Sequence, residues 1–117
     1  MKITRALSIR QPYAEFIMDG FKKYEFRNVF TRIRERVYIY ASKKPDNGPC
    51  DANTFYTYMH KFDKLPLGVI IGTVEIVNCL RVIDGEAKYA WQLENPKRLK
   101  RFLKPKNKPQ PVWFKPF

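Results

Sequence analysis

The stretch Gly68-Val69-Ile70-Ile71-Gly72-Thr73-Val74-Glu75-Ile76-Val77-Asn78-Cys79 is the longest run of β-prone residues in the chain. Strand side chains alternate between two faces, so Gly68 and Gly72 share one face. Glycine inside a strand is typical of a sharp bend around a barrel, or of a close approach to another backbone. The opposite face places the carboxylate of Glu75 among mostly apolar residues. The stretch therefore predicts a long strand that bends within a β-rich fold.

The hydrophobic pattern on both sides of this strand predicts a small set of further elements. Apolar residues recur at every second position in the strands and at helical spacing in the helices. A proline at position 12 suits the first turn of a helix, and Gly20 is placed to end it. We expect strands over residues 2–9, 22–27, 36–42, 68–79, 87–93 and 112–114, and helices over residues 12–20 and 51–62.

The strand over residues 22–27 has two distinct faces. Tyr24 and Phe26 share one face, whereas Lys23, Glu25 and Arg27 share the other. Aromatic residues usually pack inside a protein. We therefore assign four phenylalanines to the core, namely Phe16, Phe26, Phe55 and Phe62.

Composition favours one ordinary domain over residues 1–117. A chain of 117 residues with 44% hydrophobic side chains has enough apolar content to fold on its own. No run approaches the length of a membrane span, and the first residues lack the apolar core of a signal peptide. Two cysteines and one histidine lack the spacing of a metal site. We expect a soluble, cytoplasmic monomer with no metal, no cofactor and free thiols.

The positive charge is concentrated near the C-terminus. The formal net charge is +12, with a sequence pI near 9.9, and such a field attracts polyanions. Residues 96–117 hold eight basic side chains and no acidic one. The Asn95-Pro96 pair predicts the end of the preceding strand, and the later prolines favour an extended, Pro-rich connection. Two interpretations stay open for this segment: a solvated tail, or a phosphate-contacting arm using Lys97, Arg98, Lys100, Arg101 and Lys104.

Five segments in order and spacing resemble the ASCH domain family. They cover residues 4–99 approximately, and residues 112–114 are similar to that family's closing strand. The segments are Ser8-Ile9-Arg10-Gln11-Pro12-Tyr13-Ala14, Gly20-Phe21-Lys22-Lys23-Tyr24-Glu25-Phe26-Arg27, Tyr38-Ile39-Tyr40-Ala41-Ser42-Lys43-Lys44, Gly68-Val69-Ile70-Ile71-Gly72-Thr73-Val74-Glu75 and Tyr89-Ala90-Trp91-Gln92-Leu93-Glu94-Asn95-Pro96.

The resemblance implies an α+β, mainly β fold: a small PUA-like β-barrel with two or three short helices packed at its openings. It also implies a polar cleft beside the first helix that binds RNA or a nucleotide. A few similar proteins are enzymes, including an amidohydrolase that deacylates N4-acylcytidine and a ribonuclease. In the short amidohydrolases a threonine stands where this chain has Glu25.

The candidate binding residues come from the polar and aromatic positions of these segments. Cations would contact phosphate, hydroxyl and amide groups would contact base edges, and aromatic rings would stack on bases. Tyr13, Tyr38, Tyr40 and Trp91 are the aromatic candidates. The predicted ligand-binding set is Ser8, Gln11, Pro12, Tyr13, Lys22, Glu25, Arg27, Tyr40, Ser42, Lys43 and Trp91.

Three alternatives stay open beside RNA binding. In the first, the chain is a small hydrolase whose catalytic set is Lys22, Glu25 and Glu75, since a lysine beside a carboxylate can act as base or nucleophile. For binding as well as for catalysis, an inward Glu75 needs a cation or backbone donors as partners, and Lys22 is the first candidate. In the second, Glu25 and Arg27 form only surface ion pairs with each other and with Lys23. In the third, the domain binds another protein and its cleft is vestigial.

Overall fold

The computed structural model describes residues 2–45 and 65–117. These residues form a mainly β, α+β fold with one short helix, and the predicted helix over residues 51–62 lies outside them. The described elements are β1 (Ala6–Ile9), α1 (Tyr13–Met18), β2 (Tyr24–Arg27), β3 (Arg36–Ala41), β4 (Val69–Arg81), β5 (Tyr89–Leu103) and β6 (Trp113–Phe114).

The six strands form one sheet in the order β2-β5-β4-β3-β1-β6. The β1–β3 pair is parallel, and every other pair is antiparallel. Parallel neighbours need a crossover connection, and here the segment between β1 and β3 contains α1 and β2. This connection lets β3 run beside β1 in the same direction. The predicted closing strand at 112–114 is confirmed, since β6 pairs with β1.

The sheet curls so that its two ends approach each other. In a flat sheet with strands about 4.8 Å apart, side chains on β5 and β6 would be separated by about 19 Å. The ring of Trp91 on β5 instead stacks on that of Trp113 on β6, with the ring centroids 5.6 Å apart. Side chains, rather than a backbone ladder, thus connect the ends of a half-barrel, and the described strands do not form a closed barrel.

The core fills the inside of this curled sheet. One cluster joins α1 to the strands, with Ile17 on the helix packed among fully buried residues of β1, β3, β4 and β5. A second, smaller cluster surrounds Tyr40 and Phe114. The predicted helix end at Gly20 is confirmed, because its φ of 78° is accessible mainly to glycine.

Gly72 marks a close approach between β4 and two other elements. A Cβ built there would collide with Met18 Sδ of α1 and would lie 2.6 Å from the backbone oxygen of Lys97 on β5. A real Cβ cannot occupy that space. The glycine predicted to allow a close backbone contact therefore does so, and it lets the helix lie tightly against the sheet.

The predicted end of β5 at Asn95-Pro96 is wrong. β5 continues to Leu103 because its second part pairs with β4, with Thr73 opposite Lys97 and Ile70 opposite Leu103. The strand accommodates the Asn95-Pro96 pair without ending, because Asn95 adopts a positive φ of 53°. We call residues 96–103 the basic half of β5. Much of the predicted C-terminal arm is therefore part of the sheet.

The assignment of Phe26 to the core is also wrong, although that of Phe16 is confirmed. Phe26 is 53% exposed, whereas Phe16 is 4% exposed. The two faces of β2 were grouped correctly, but the face that turns inward carries Glu25 and Arg27. These two side chains satisfy each other by ion pairing, which allows charged groups to occupy the inner face. Phe55 and Phe62 lie outside the described residues.

Candidate functional site

A polar cleft of about 610 Å³ opens where the ends of the curled sheet meet. We call it the seam cleft. Strands β1 and β2 form its walls, α1 contributes one aromatic ring, and the segments after β3 and before β6 complete it. Its lining residues are Ser8, Ile9, Arg10, Tyr13, Lys22, Glu25, Phe26, Arg27, Ser42, Lys44 and Pro111.

Glu25 is the central charged group of the seam cleft. Its carboxylate lies between two cations, with Oε1 3.5 Å from Lys22 Nζ and Oε2 2.7 Å from Arg27 Nη2. Arg27 Nε also donates to Oε2 at 2.8 Å. Glu25 is only 9% exposed, so its two partners compensate for the lost hydration. Because Oε1 has the longer contact, it is the oxygen better able to accept a further hydrogen bond.

Arg27 spans the seam between the two ends of the sheet. Besides pairing with Glu25 on its own strand, it donates from Nη2 to the backbone oxygen of Ser8 on β1 at 3.0 Å. Its guanidinium lies over the indole of Trp91, 5.7 Å from the ring centroid. Trp91 in turn donates Nε1–H to the backbone oxygen of Val29. The Arg27 guanidinium is therefore fixed by three contacts, to a carboxylate, a backbone oxygen and the Trp91 ring beneath it.

Lys22 is positioned by the turn that follows α1. Its backbone N–H donates to the oxygen of Phe16 at 3.0 Å, which holds the residue against the end of the helix. Its ammonium lies 5.7 Å from the ring centroid of Tyr13 and 5.2 Å from that of Phe26. Cation–π contacts and the Glu25 carboxylate therefore direct this charge into the cleft.

Six of the predicted ligand-binding residues line the seam cleft. The sequence motifs that contain them lie on different elements, and the curl of the sheet brings these together. Glu25 pairs with Lys22 and Arg27, and not with Lys23 as in the surface-pair alternative. The six residues are Ser8, Tyr13, Lys22, Glu25, Arg27 and Ser42.

The other five predicted residues do not line the cleft. Gln11 is 2% exposed and has a structural role, since its Nε2 donates to the oxygen of Pro66 and its Oε1 accepts from the N–H of Glu15. Pro12 is buried beside it. The aliphatic part of Lys43 lies close to Gly68, and its side chain is otherwise exposed.

Two predicted aromatic residues belong to the core instead. Tyr40 is 3% exposed and packs edge-on against Phe114, and this burial raises the pKa of its hydroxyl. Trp91 is fully buried between Trp113 and Arg27. Neither ring offers a face to a base, because each face is already covered or enclosed. Tyr38, a further stacking candidate, packs edge-on against Phe117.

Glu75 does not join Lys22. The expectation that Lys22 is its partner is wrong, because Glu75 Oε1 pairs with Arg36 Nη2 at 3.1 Å. Arg36 lies directly opposite Glu75 in the β3–β4 ladder, which makes it the nearest available cation. The Glu75 side chain is 41% exposed and lines a separate groove of about 730 Å³ with Arg36 and Lys2. We call this the Glu75 groove.

Sequence reasoning missed several residues of the seam cleft, including the cations Arg10 and Lys44. Signals for both were present. Arg10 follows Ser8 by two residues and shares its face on an extended segment, and Lys44 extends the Ala-Ser-Lys segment by one position. Among the residues that the structure describes, neither cation pairs with a carboxylate. The other missed lining residues are Ile9, Phe26 and Pro111.

The predicted phosphate-contacting residues divide into two groups. Arg98 is paired, with Nη2 2.6 Å from Glu15 Oε1 and in contact with Asp19, and the Glu15 hydrogen bond raises its pKa. This residue fastens β5 to α1. The other four are exposed on or just after the basic half of β5, namely Lys97, Lys100, Arg101 and Lys104.

The register of the sheet pushes part of this basic half outward. Gly72 pairs with Arg98 and Ile70 with Leu103, so five steps along β5 match two steps along β4. The three extra residues form a bulge that contains Lys100 and Arg101. The basic charge is therefore presented on a protrusion from a sheet.

The residues that the structure describes thus form a small β domain, a half-barrel sheet with a polar cleft at its seam, and such clefts are where ligands usually bind. Residues 7–108 match the family model of the ASCH domain, and the chain belongs to this family. No curated protein matched the sequence. In the part of the chain that the structure describes, no helix is long and apolar enough to span a membrane, and no three His, Cys, Asp or Glu side chains gather as metal ligands.

Proposed function

We propose that this ASCH domain binds single-stranded RNA, with one nucleotide in the seam cleft. The observation that carries the proposal is the charge of that cleft: four cationic side chains surround one fixed carboxylate. A surface built only for phosphate would have no use for the carboxylate. A site that holds both a phosphate and a base edge uses both kinds of group.

The cleft offers each part of a nucleotide a suitable partner. Arg10 and Lys44, which have no carboxylate partner among the described residues, suit phosphate oxygens. Glu25 Oε1 suits an amino or imino group on a base edge. The volume of about 610 Å³ falls within the roughly 300–1,000 Å³ of typical small-ligand pockets.

The basic half of β5 supports the proposal as a second contact for the backbone. Lys22 lines both the seam cleft and a smaller depression of about 260 Å³ that reaches Asn95 and Pro96. That depression leads from the cleft to the start of the basic half of β5. An RNA strand that leaves the cleft along this path would meet Lys97 and then the cations of the bulge.

The hydrolase alternative loses one of its three residues. Glu75 lines its own groove with Arg36, and both oxygens of Glu25 already face cations. A carboxylate whose two oxygens are engaged by cations has neither oxygen free to act as a base toward a substrate, so Glu25 is better placed to bind than to carry out catalysis. No observation favours hydrolysis over binding.

Fluorescence anisotropy with a labelled single-stranded RNA tests the proposal. The wild-type domain should bind at low salt and lose affinity steeply as salt rises, because phosphate contacts release counterions. The Arg10→Ala variant should bind about ten-fold more weakly, as expected for a charge-assisted contact. The matched control is Lys88→Ala, an exposed cation outside the cleft, which should bind almost as the wild type does.

Two results would contradict the proposal. One is the absence of binding to any RNA or DNA at low salt. The other is an affinity that stays the same between low and high salt. DNA of the same sequence should be measured in parallel, since a cleft that contacts the 2′-hydroxyl binds RNA more tightly.

A further inference from the structure

Two aromatic side chains stand next to each other on the outer face of β2. Tyr24 is 36% exposed and Phe26 is 53% exposed, and their ring centroids are 6.5 Å apart. They occupy alternate positions of the strand, so both point away from the sheet on the same side. We call them the β2 aromatic pair.

The exposure of this pair follows from the charges on the other face of the strand. Glu25 and Arg27 turn inward to form the seam cleft, which leaves Tyr24 and Phe26 facing solvent. β2 is also an edge strand of the sheet. Edge strands in general carry charged side chains on exposed positions, and two neighbouring aromatic rings there are unusual.

The pair is continuous with the proposed nucleotide site. Phe26 lines the seam cleft, and Tyr24 lines the adjoining depression together with Lys22 and Lys23. The Lys22 ammonium lies over the Phe26 ring, 5.2 Å from its centroid. Lys22 and Lys23 thus place two cations beside the rings at the start of β2, which matches a polyanion better than an apolar protein surface.

We propose that the β2 aromatic pair is a stacking platform for the bases next to the nucleotide in the seam cleft. This inference rests on the proposed function. The ring spacing of 6.5 Å is nearly twice the rise of about 3.4 Å per nucleotide in a stacked strand. The two rings thus suit the bases of an unstacked single strand, each base lying on one ring.

The test compares two RNA oligonucleotides of equal length and phosphate charge. One carries ordinary bases throughout, and the other is abasic at the positions on both sides of one central nucleotide. The wild-type domain should bind the first at least about thirty-fold more tightly, because each of the two stacked bases adds about 1 kcal/mol or more. A Tyr24→Leu/Phe26→Leu variant should bind the two oligonucleotides equally, with the salt dependence unchanged, since no charge has been altered.

Phe117→Leu is the matched control. Phe117 is 53% exposed, as Phe26 is, but it lies against Tyr38 on β3, which β5 and β4 separate from β2 in the sheet. Its substitution should leave the preference for the first oligonucleotide intact. Leucine keeps apolar bulk at each position and removes only the ring. Because the substituted side chains are exposed, the variants should unfold at the same temperature as the wild type.

The outcomes separate the inference from the function on which it rests. If the wild type binds neither oligonucleotide, RNA binding itself is contradicted. If it binds both equally, or if the double variant keeps the wild-type preference, the stacking platform is overturned and RNA binding stands. The stacking platform would also be overturned if the double variant kept the wild-type RNA affinity but lost a dimer that the wild type forms. That result would assign the aromatic pair to contact with a second copy of the chain.

Discussion

The seam cleft and the basic half of β5 are both rich in cations, but they hold them differently. In the cleft, Arg27 is fixed by a carboxylate, a backbone oxygen and an indole ring. On β5, Lys100 and Arg101 are exposed on a bulge. Fixed groups can recognise the shape and hydrogen bonds of one ligand, whereas exposed cations contribute attraction to any polyanion. If the domain binds RNA as proposed, selectivity and general affinity should therefore lie in different parts of the molecule.

Arg98 is an exception among the cations of the basic half of β5. It belongs to the basic half of β5 by sequence, yet it behaves like a cleft residue because Glu15 and Asp19 hold it. Its charge is largely neutralised by these partners. Position along the chain alone does not decide the role of a cation here; the partners do.

The largest expected effect is on stability, from Arg27→Met. The substitution leaves Glu25 buried with only Lys22 nearby and removes the hydrogen bond across the seam, so we expect a loss of about 2 kcal/mol in the free energy of unfolding. Arg101→Met on the exposed bulge should change it by less than about 0.5 kcal/mol. Urea denaturation measures both values.

A second variant checks the cause of that loss. Arg27→Met/Glu25→Leu removes the stranded carboxylate as well, and should be more stable than Arg27→Met alone. Equal stability of Arg27→Met and Arg101→Met would mean that the two regions do not differ, and would remove the basis of the comparison.

The next effect is on base selectivity, from Glu25→Gln. The amide replaces two charged acceptor oxygens with one neutral acceptor and one donor group, which weakens acceptance from a base edge. Discrimination between homopolymeric RNAs should therefore fall by about 1–3 kcal/mol. Overall affinity should not fall, since a negative charge has been removed from the cleft. Competition binding with four homo-oligonucleotides measures the ranking, and Glu94→Gln, an exposed carboxylate on β5, is the control that should preserve it.

A smaller effect, limited to salt dependence, is expected from Lys100→Ala/Arg101→Ala. If each side chain contacts one phosphate, the magnitude of the slope of log affinity against log salt should decrease by about 1.4, because each contact on a single strand contributes about 0.7. The ranking of bases should not change. Arg81→Ala/Lys88→Ala removes the same charge from exposed positions elsewhere and should leave the slope close to the wild-type value. A changed base ranking in the β5 variant would contradict the division of roles.

The smallest effect concerns the core beneath the basic half of β5, where Leu99 packs against the cluster that contains Tyr40. Burial raises the pKa of the Tyr40 hydroxyl above its usual value of 10.0. In the unfolded chain this tyrosine therefore ionises at a lower pH than in the folded one, and stability present below pH 10 should decline as pH rises above it. Tyr40→Phe should reduce this decline in urea denaturation series; an unchanged decline would contradict the assignment.

Much of the site could be predicted because its spacing is local. Glu25 and Arg27 are two residues apart on a strand, and strand alternation puts them on one face. Alternation does not reveal which face turns inward, and this is why Phe26 was assigned to the core. The inward face was decided by ion pairing with Lys22 and by the Trp91 ring on β5, a strand that neighbours β2 in the sheet but is distant from it in sequence.

The features that could not be predicted depend on contacts between distant parts of the chain. Glu75 pairs with Arg36 because the β3–β4 register places them opposite each other. The strand-breaking pair Asn95-Pro96 is overridden because β4 offers a long edge with which β5 pairs. Local sequence signals set the elements, and long-range pairing set their ends and the partners of their charges.

Nuclear magnetic resonance titration with a short single-stranded RNA tests the central claim most directly, because it locates the bound strand. We predict that the amide signals of Ser8, Glu25 and Ser42 in the seam cleft shift most, while those of Arg36 and Glu75 in the Glu75 groove stay in place. The claim would be contradicted by shifts confined to the Glu75 groove or to the basic half of β5, with the signals of the seam cleft unmoved.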